Sequence, residues 1–148
     1  MGKPTSFLKI LIIDDDDELL MREAEALGHP AIEFSALSPA QVSASRGPLS
    51  DRDIVVVGVD TSGGLDLIND LCARPGMPPV IALAGRGVHG KSLEHVLLLA
   101  ELRGAAISLP KPLDAIELAL AAIELIRAKS GANDMTHVAK DLERRLEY

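Results

Sequence analysis

Five short, largely apolar runs, each followed by a stretch of helical character, constrain the fold of this chain more than any other feature. They are Leu8–Ile13, Ala31–Ser35, Asp53–Asp60, Val80–Ala84 and Ala105–Leu109. Runs of this length, rich in Ile, Val and Leu, suit strands covered on both faces, as in a parallel sheet. The intervening segments carry helix punctuation. One helix runs from near Asp16 to Leu27 and stops at Gly28. Ser38 and Pro39 supply an N-cap and a first-turn proline for a short helix ending by Gly47. Gly63-Gly64 opens a third through Leu71, broken by Pro75–Pro79. Ser92 to Leu102 is a fourth, stopped by Gly104, and Leu113 to Ala128 a fifth. Short connections and right-handed crossovers then predict a (βα)5 chain: a five-stranded parallel sheet between two helical layers.

Composition narrows the class. The 148 residues suffice for one well-buried domain, with residues 1–130 forming it and 131–148 a C-terminal helical extension or linker. Two Phe, one Tyr and no Trp leave an aliphatic core, which favours α/β or all-α packing. A net charge of −7 argues against a nucleic-acid surface. No apolar run approaches the ~20 residues of a membrane span, and no secretory leader is visible, so a soluble cytoplasmic protein is expected. Cys72 is the single cysteine, which excludes a disulfide framework, and reads as a small core residue. His29, His89, His95 and His137 show no ligand spacing, and His95 reads as a helix-surface residue. Glu117, Glu124, Arg127 and Lys129 read as a solvated helix face. In the tail, Met135, Val138, Leu142 and Leu146 form one stripe of a helix over Asp134–Tyr148. A docked or frayed extension and a short coiled coil both fit it.

The chemistry collects at strand ends. Leu8–Ile13 empties into Asp14-Asp15-Asp16-Asp17, and carboxylates crowded there repel unless a cation or a lysine neutralises them. Open α/β sheets place ligands at this edge. A charged turn leading into a helix N-terminus is the plainer reading, and Asp16, Asp17 and Glu18 suit a first helical turn. Taken with Asp53-Ile-Val-Val-Val, Gly64-Leu65-Asp66-Leu67, Pro79-Val80-Ile81-Ala82-Leu83, and Gly104-Ala105 leading to Lys111-Pro112, the chain resembles the receiver domain of two-component response regulators over residues 7–129. The resemblance implies a flavodoxin-like fold. It further implies two acids after strand one that hold Mg²⁺, a phosphoryl-accepting acid ending strand three, and a lysine after strand five that pairs with the phosphate. A hydroxyl after strand four and an aromatic in strand five would relay the state to a surface.

Mapped residue by residue, the resemblance is incomplete. Asp14 and Asp15 match the metal acids and Lys111 the lysine, with Pro112 where the family often has a cis peptide. The acceptor position falls on Gly58, the relay hydroxyl on Ala84 and the aromatic on Ser108. Glycine has no nucleophilic oxygen, so that position takes no phosphate. Asp60 shares strand parity with Gly58, ~6.6 Å further on if the strand continues. It is either a displaced acceptor, drawn in by a shortened loop, or a solvated turn residue beside Thr61 and Ser62. Without an acceptor, Lys111 and the acids would satisfy one another and lock the pocket, leaving no cofactor or weakly bound Mg²⁺.

A competing motif is Gly85-Arg86-Gly87-Val88-His89-Gly90-Lys91-Ser92, which fits the phosphate-loop pattern through Gly85, Gly90, Lys91 and Ser92 between a strand and a helix. Its plainer reading is a flexible loop whose Ser92 caps the next helix. The leading expectation is a non-enzymatic, phosphorylation-independent receiver-like module of a two-component or phosphorelay system. Its partners would be an output domain, a histidine kinase or another regulator, with a homodimer through helix four, strand five and helix five implied by the resemblance. A phosphoacceptor using Asp60 and a small nucleotide-binding protein are the alternatives.

Overall fold

The computed structural model describes residues 8–14, 18–44, 49, 51–60, 63–87, 90–111, 114–130 and 136–146. In chain order the elements are β1 (Leu8–Ile13), α1 (Glu18–Leu27), β2 (Ile32–Leu37), α2 (Pro39–Ala44), β3 (Ile54–Gly58) and α3 (Gly64–Cys72). There follow β4 (Val80–Ala84), α4 (Leu93–Leu102), β5 (Ile107–Pro110), α5 (Ala115–Ser130) and α6 (Thr136–Leu146). All strand pairs are parallel, in the order β2-β1-β3-β4-β5. The chain order reverses between β1 and β3, which sets a crevice at their carboxyl ends.

The period-two alternation of a strand divides the core cleanly. Leu8, Ile10, Ile12, Ile54, Val56, Ile81 and Leu83 face one layer with Leu118, Ala122 and Ile123 of α5. Leu11, Ile13, Val55, Val57, Val80, Ala82 and Ala84 face the other with Ile68 and Leu71 of α3 and Val96 of α4. Every residue of β3 and β4 is therefore buried. The edge strands are less so, and here the sequence expectations shift. β2 is displaced to Ile32–Leu37 and β5 to Ile107–Pro110, because a half-exposed strand carries a weaker apolar signal.

Local chemistry fixes the helix ends. Ser38 and Gln41 form a capping box, with Gln41 N–H donating to Ser38 Oγ at 3.1 Å and Ser38 N–H donating to Gln41 Oε1 at 2.8 Å. Ser92 Oγ accepts from His95 N–H at 3.2 Å to cap α4, and Asp114 Oδ1 accepts from Glu117 N–H at 2.8 Å to cap α5. Gly104 ends α4 at a φ of +124°, and a Cβ there would come within 2.7 Å of Cys72 Sγ, so backbone and thiol both demand glycine.

The tail stripe turns inward. Val138, Ala139 and Leu142 of α6 are buried in the α5 layer, beside the end of α1. His29 Nε2 and Asp141 Oδ2 lie 3.1 Å apart, His29 Nδ1 accepts from Ala31 N–H, and Arg145 donates to the Leu27 carbonyl at 3.0 Å. Met135 lies outside the described residues.

Candidate functional site

Four residues meet at the carboxyl edge, each one step or two past a strand: Asp14 after β1, Asp60 after β3, Gly85 after β4 and Lys111 after β5. Their backbones are fixed by the ladder. Val59 N–H donates to Leu83 O at 2.9 Å and Lys111 N–H to Ala84 O at 2.9 Å. The expected strand through Asp60 stops instead at Gly58, and the chain bends over the sheet edge once Val59 has made its bond. That bend brings Asp60 inward.

The Lys111 ammonium donates to Asp14 Oδ2 at 2.9 Å and to Asp60 Oδ2 at 2.8 Å. Asp60 Oδ1 in turn accepts from Gly85 N–H at 2.7 Å. Side-chain exposure is 7% for Asp14, 19% for Asp60 and 22% for Lys111, so the cluster is largely withdrawn from water. Burial alone would raise the Asp60 carboxyl, but the Lys111 hydrogen bond and the Gly85 and Arg86 N–H groups outweigh it and hold it below its ordinary range. Burial likewise opposes the charged Lys111, and the two carboxylates overcome it and raise its pKa. The reading of Asp60 as a solvated turn residue is corrected: it is an inward, doubly hydrogen-bonded carboxylate.

Gly58 explains the placement of Asp14. A Cβ built on Gly58 would overlap the Asp14 carboxylate. A side chain at position 58 and this setting of Asp14 therefore exclude one another. The next turn is equally tight, since a Cβ on Gly64 would lie 2.5 Å from Val59 Cα. Nothing in the sequence signalled that Asp14 would occupy the space over residue 58.

The other mapped positions behave differently. Ala84 is fully buried and apolar. Ser108 is bound to α4, its N–H and Oγ–H both donating to Glu101 Oε2, at 3.1 and 2.7 Å. Glu101 was missed, because a seven-residue offset between helix and strand matches no sequence period. Asp15 and Pro112 lie outside the described residues. Among the described residues no group of three or more His, Cys, Asp and Glu side chains could hold a metal ion.

Described residues of the Gly85–Ser92 segment are engaged within the chain. Its Gly85 N–H is engaged by Asp60, and Gly87 packs so closely on the Lys91 carbonyl that a Cβ would overlap it. Lys91 is exposed and Ser92 caps α4. Val88 and His89 lie outside the described residues.

This geometry, with its sheet order, defines a doubly wound (βα)5 protein whose site lies at the switch point. No family model and no curated protein matches the sequence. Solved structures narrow the class to the receiver-domain fold. A response regulator from Desulfuromonas acetoxidans superposes with a TM-score of 0.65 at 20% identity, covering 82% of this chain and 98% of that one. A CheY-like receiver domain protein from Methanospirillum hungatei gives 0.64 at 22%, covering 85% and 98%. A response regulator protein from Burkholderia pseudomallei, described with a phosphorylated aspartic acid, calcium ion and citrate, gives 0.60 at 19%, covering 95% and 87%. The chain has the receiver-domain fold.

Proposed function

We propose that this chain is a receiver-type module of a bacterial two-component or phosphorelay system that signals through protein contacts, without being phosphorylated. One observation carries the reading: at the position aligned with the family's acceptor stands Gly58, and the Asp14 carboxylate fills the space a side chain would need. The replacement of the relay hydroxyl by buried Ala84, and of the aromatic by a Ser108 tied to Glu101, supports it further. The module is non-enzymatic and cytoplasmic; among the described residues no helix is long and apolar enough to cross a membrane. It takes no cofactor, or Mg²⁺ only weakly, because the Lys111 ammonium already satisfies Asp14. Its partner is an output domain, a histidine kinase or another regulator. Leu98 and Leu102, 56% and 73% exposed on α4, favour contact through the α4–β5–α5 face, including self-association.

A second reading keeps Asp60 as a displaced acceptor, favoured by its 2.8 Å bond to Lys111. In that case an Asp60 oxygen attacks the phosphorus of acetyl phosphate and acetate leaves. Intact-mass measurement after acetyl phosphate treatment with Mg²⁺ separates the two. The proposal expects no adduct and an unchanged oligomeric state. A phosphoryl adduct abolished by Asp60→Asn establishes the second reading instead.

A further inference from the structure

We propose that Asp60 is a resident ligand: its carboxylate fills a monoanion pocket formed by the Lys111 ammonium and the Gly85 N–H, which would otherwise take a small free carboxylate. This rests on the reading of an unphosphorylated pocket. The donors come from different segments, Gly85 from the turn after β4 and Lys111 from the turn after β5. They close on the two oxygens of one group, Oδ1 at 2.7 Å and Oδ2 at 2.8 Å. An ammonium with converging backbone N–H groups is a general oxyanion site. Here the oxyanion is delivered by the chain itself, from the bend that follows Val59. One carboxylate thereby ties together the turns after β3, β4 and β5.

Charge selects the ligand class. Asp14 shares the same ammonium, at 2.9 Å, so two carboxylates already surround one cation. A free monocarboxylate replacing Asp60 keeps that balance, whereas a phosphate dianion adds a second negative charge beside Asp14. The pocket therefore fits formate or acetate better than inorganic phosphate, by on the order of tenfold in affinity for one extra unit charge at partly screened range. The consequence for signalling is that the three turns are held in a ligand-filled arrangement with no incoming group, and the state of the module is written into its sequence.

Chemical rescue tests this. In Asp60→Gly the Gly85 amide resonance should leave its wild-type position. Titration with formate, against chloride at equal ionic strength, should return it toward that position in a saturable way. Inorganic phosphate should need roughly tenfold higher concentration. Wild type should not respond, and Asp60→Gly combined with Lys111→Met should lose the response. Asp60→Asn keeps an oxygen for the Gly85 N–H, so its amide should stay near the wild-type position and ignore formate; it serves as the folded control. An Asp60→Gly amide that does not move, or formate shifts of equal size in wild type and variant, would overturn the proposal. A response in the Lys111→Met double variant matching that of Asp60→Gly would do the same. Phosphoryl transfer to wild-type Asp60 would instead refute the reading beneath it, whereas silence toward formate without any adduct removes the resident ligand alone.

Discussion

Two polar clusters cross the chain, and they work differently. At the carboxyl edge, Asp14, Asp60 and Lys111 are each mostly withdrawn from water and hold one another in place. On the flank of the α5 layer, His29, Asp141 and Arg145 also bridge distant segments, yet Asp141 and Arg145 remain 41% and 40% exposed. There the fully buried Leu142 and Val138 do the anchoring, and the polar contacts trim the geometry. Charge fixes structure only where water is excluded; elsewhere apolar burial does so and ion pairs follow.

The strongest challenge to this contrast is Lys111→Met, which removes the ammonium shared by the buried Asp14 and the largely withdrawn Asp60. It should cost about 3–5 kcal/mol in urea unfolding at pH 7. A loss near that of an exposed pair would erase the distinction. The pH dependence sharpens it. Asp60 is held below its ordinary 3.8, so its contribution is complete above that value and lost as the pH falls through the lower folded pKa. Lys111 is raised above its ordinary 10.5, so its contribution is complete below that value and lost as the pH rises through the higher folded pKa. The gap between wild type and variant should narrow as the pH falls, because without the ammonium burial raises the Asp60 carboxyl and lets it take a proton, and should narrow again as the pH rises through the folded Lys111 pKa.

Leu142→Ala comes next, at about 2–4 kcal/mol by the same denaturation, if α6 is anchored by burial. Gly58→Ala should cost about 1–3 kcal/mol by forcing the Asp14 carboxylate aside. Combined with Asp14→Ala it should cost less than the sum of the two single changes. Additivity there would mean that Asp14 does not occupy the space over residue 58. Asp141→Ala should be smallest, at about 0.5 kcal/mol, with little change in α6 protection from hydrogen exchange.

Much of this was legible in the residues. Leu8–Ile13, Ile54–Val57 and Val80–Ala84 are almost wholly apolar, which marked three strands covered on both faces, and the helical connections between them made the sheet parallel. Asp14 was legible because carboxylates crowded at a strand end need a cation, Lys111 was legible through the resemblance to receiver domains, and the parity of Asp60 with Gly58 left an inward position open. Three features were hidden for physical reasons. The Asp14 position over Gly58 depends on the space left by a missing Cβ, which spacing does not encode. The Glu101–Ser108 contact joins a helix to a strand with no shared period. The stripe of α6 suits a coiled-coil partner as well as its own core, and only the packing of Val138 and Leu142 separates the two.

The closeness of Gly104 to Cys72 has a practical side. Burial raises the thiol pKa, so at neutral pH little thiolate exists and alkylating reagents react slowly. That half-buried sulfur abuts the turn joining α4 to β5, so a motion lifting α4 should expose it further. The rate of maleimide labelling is thus a native clock for motion at that corner.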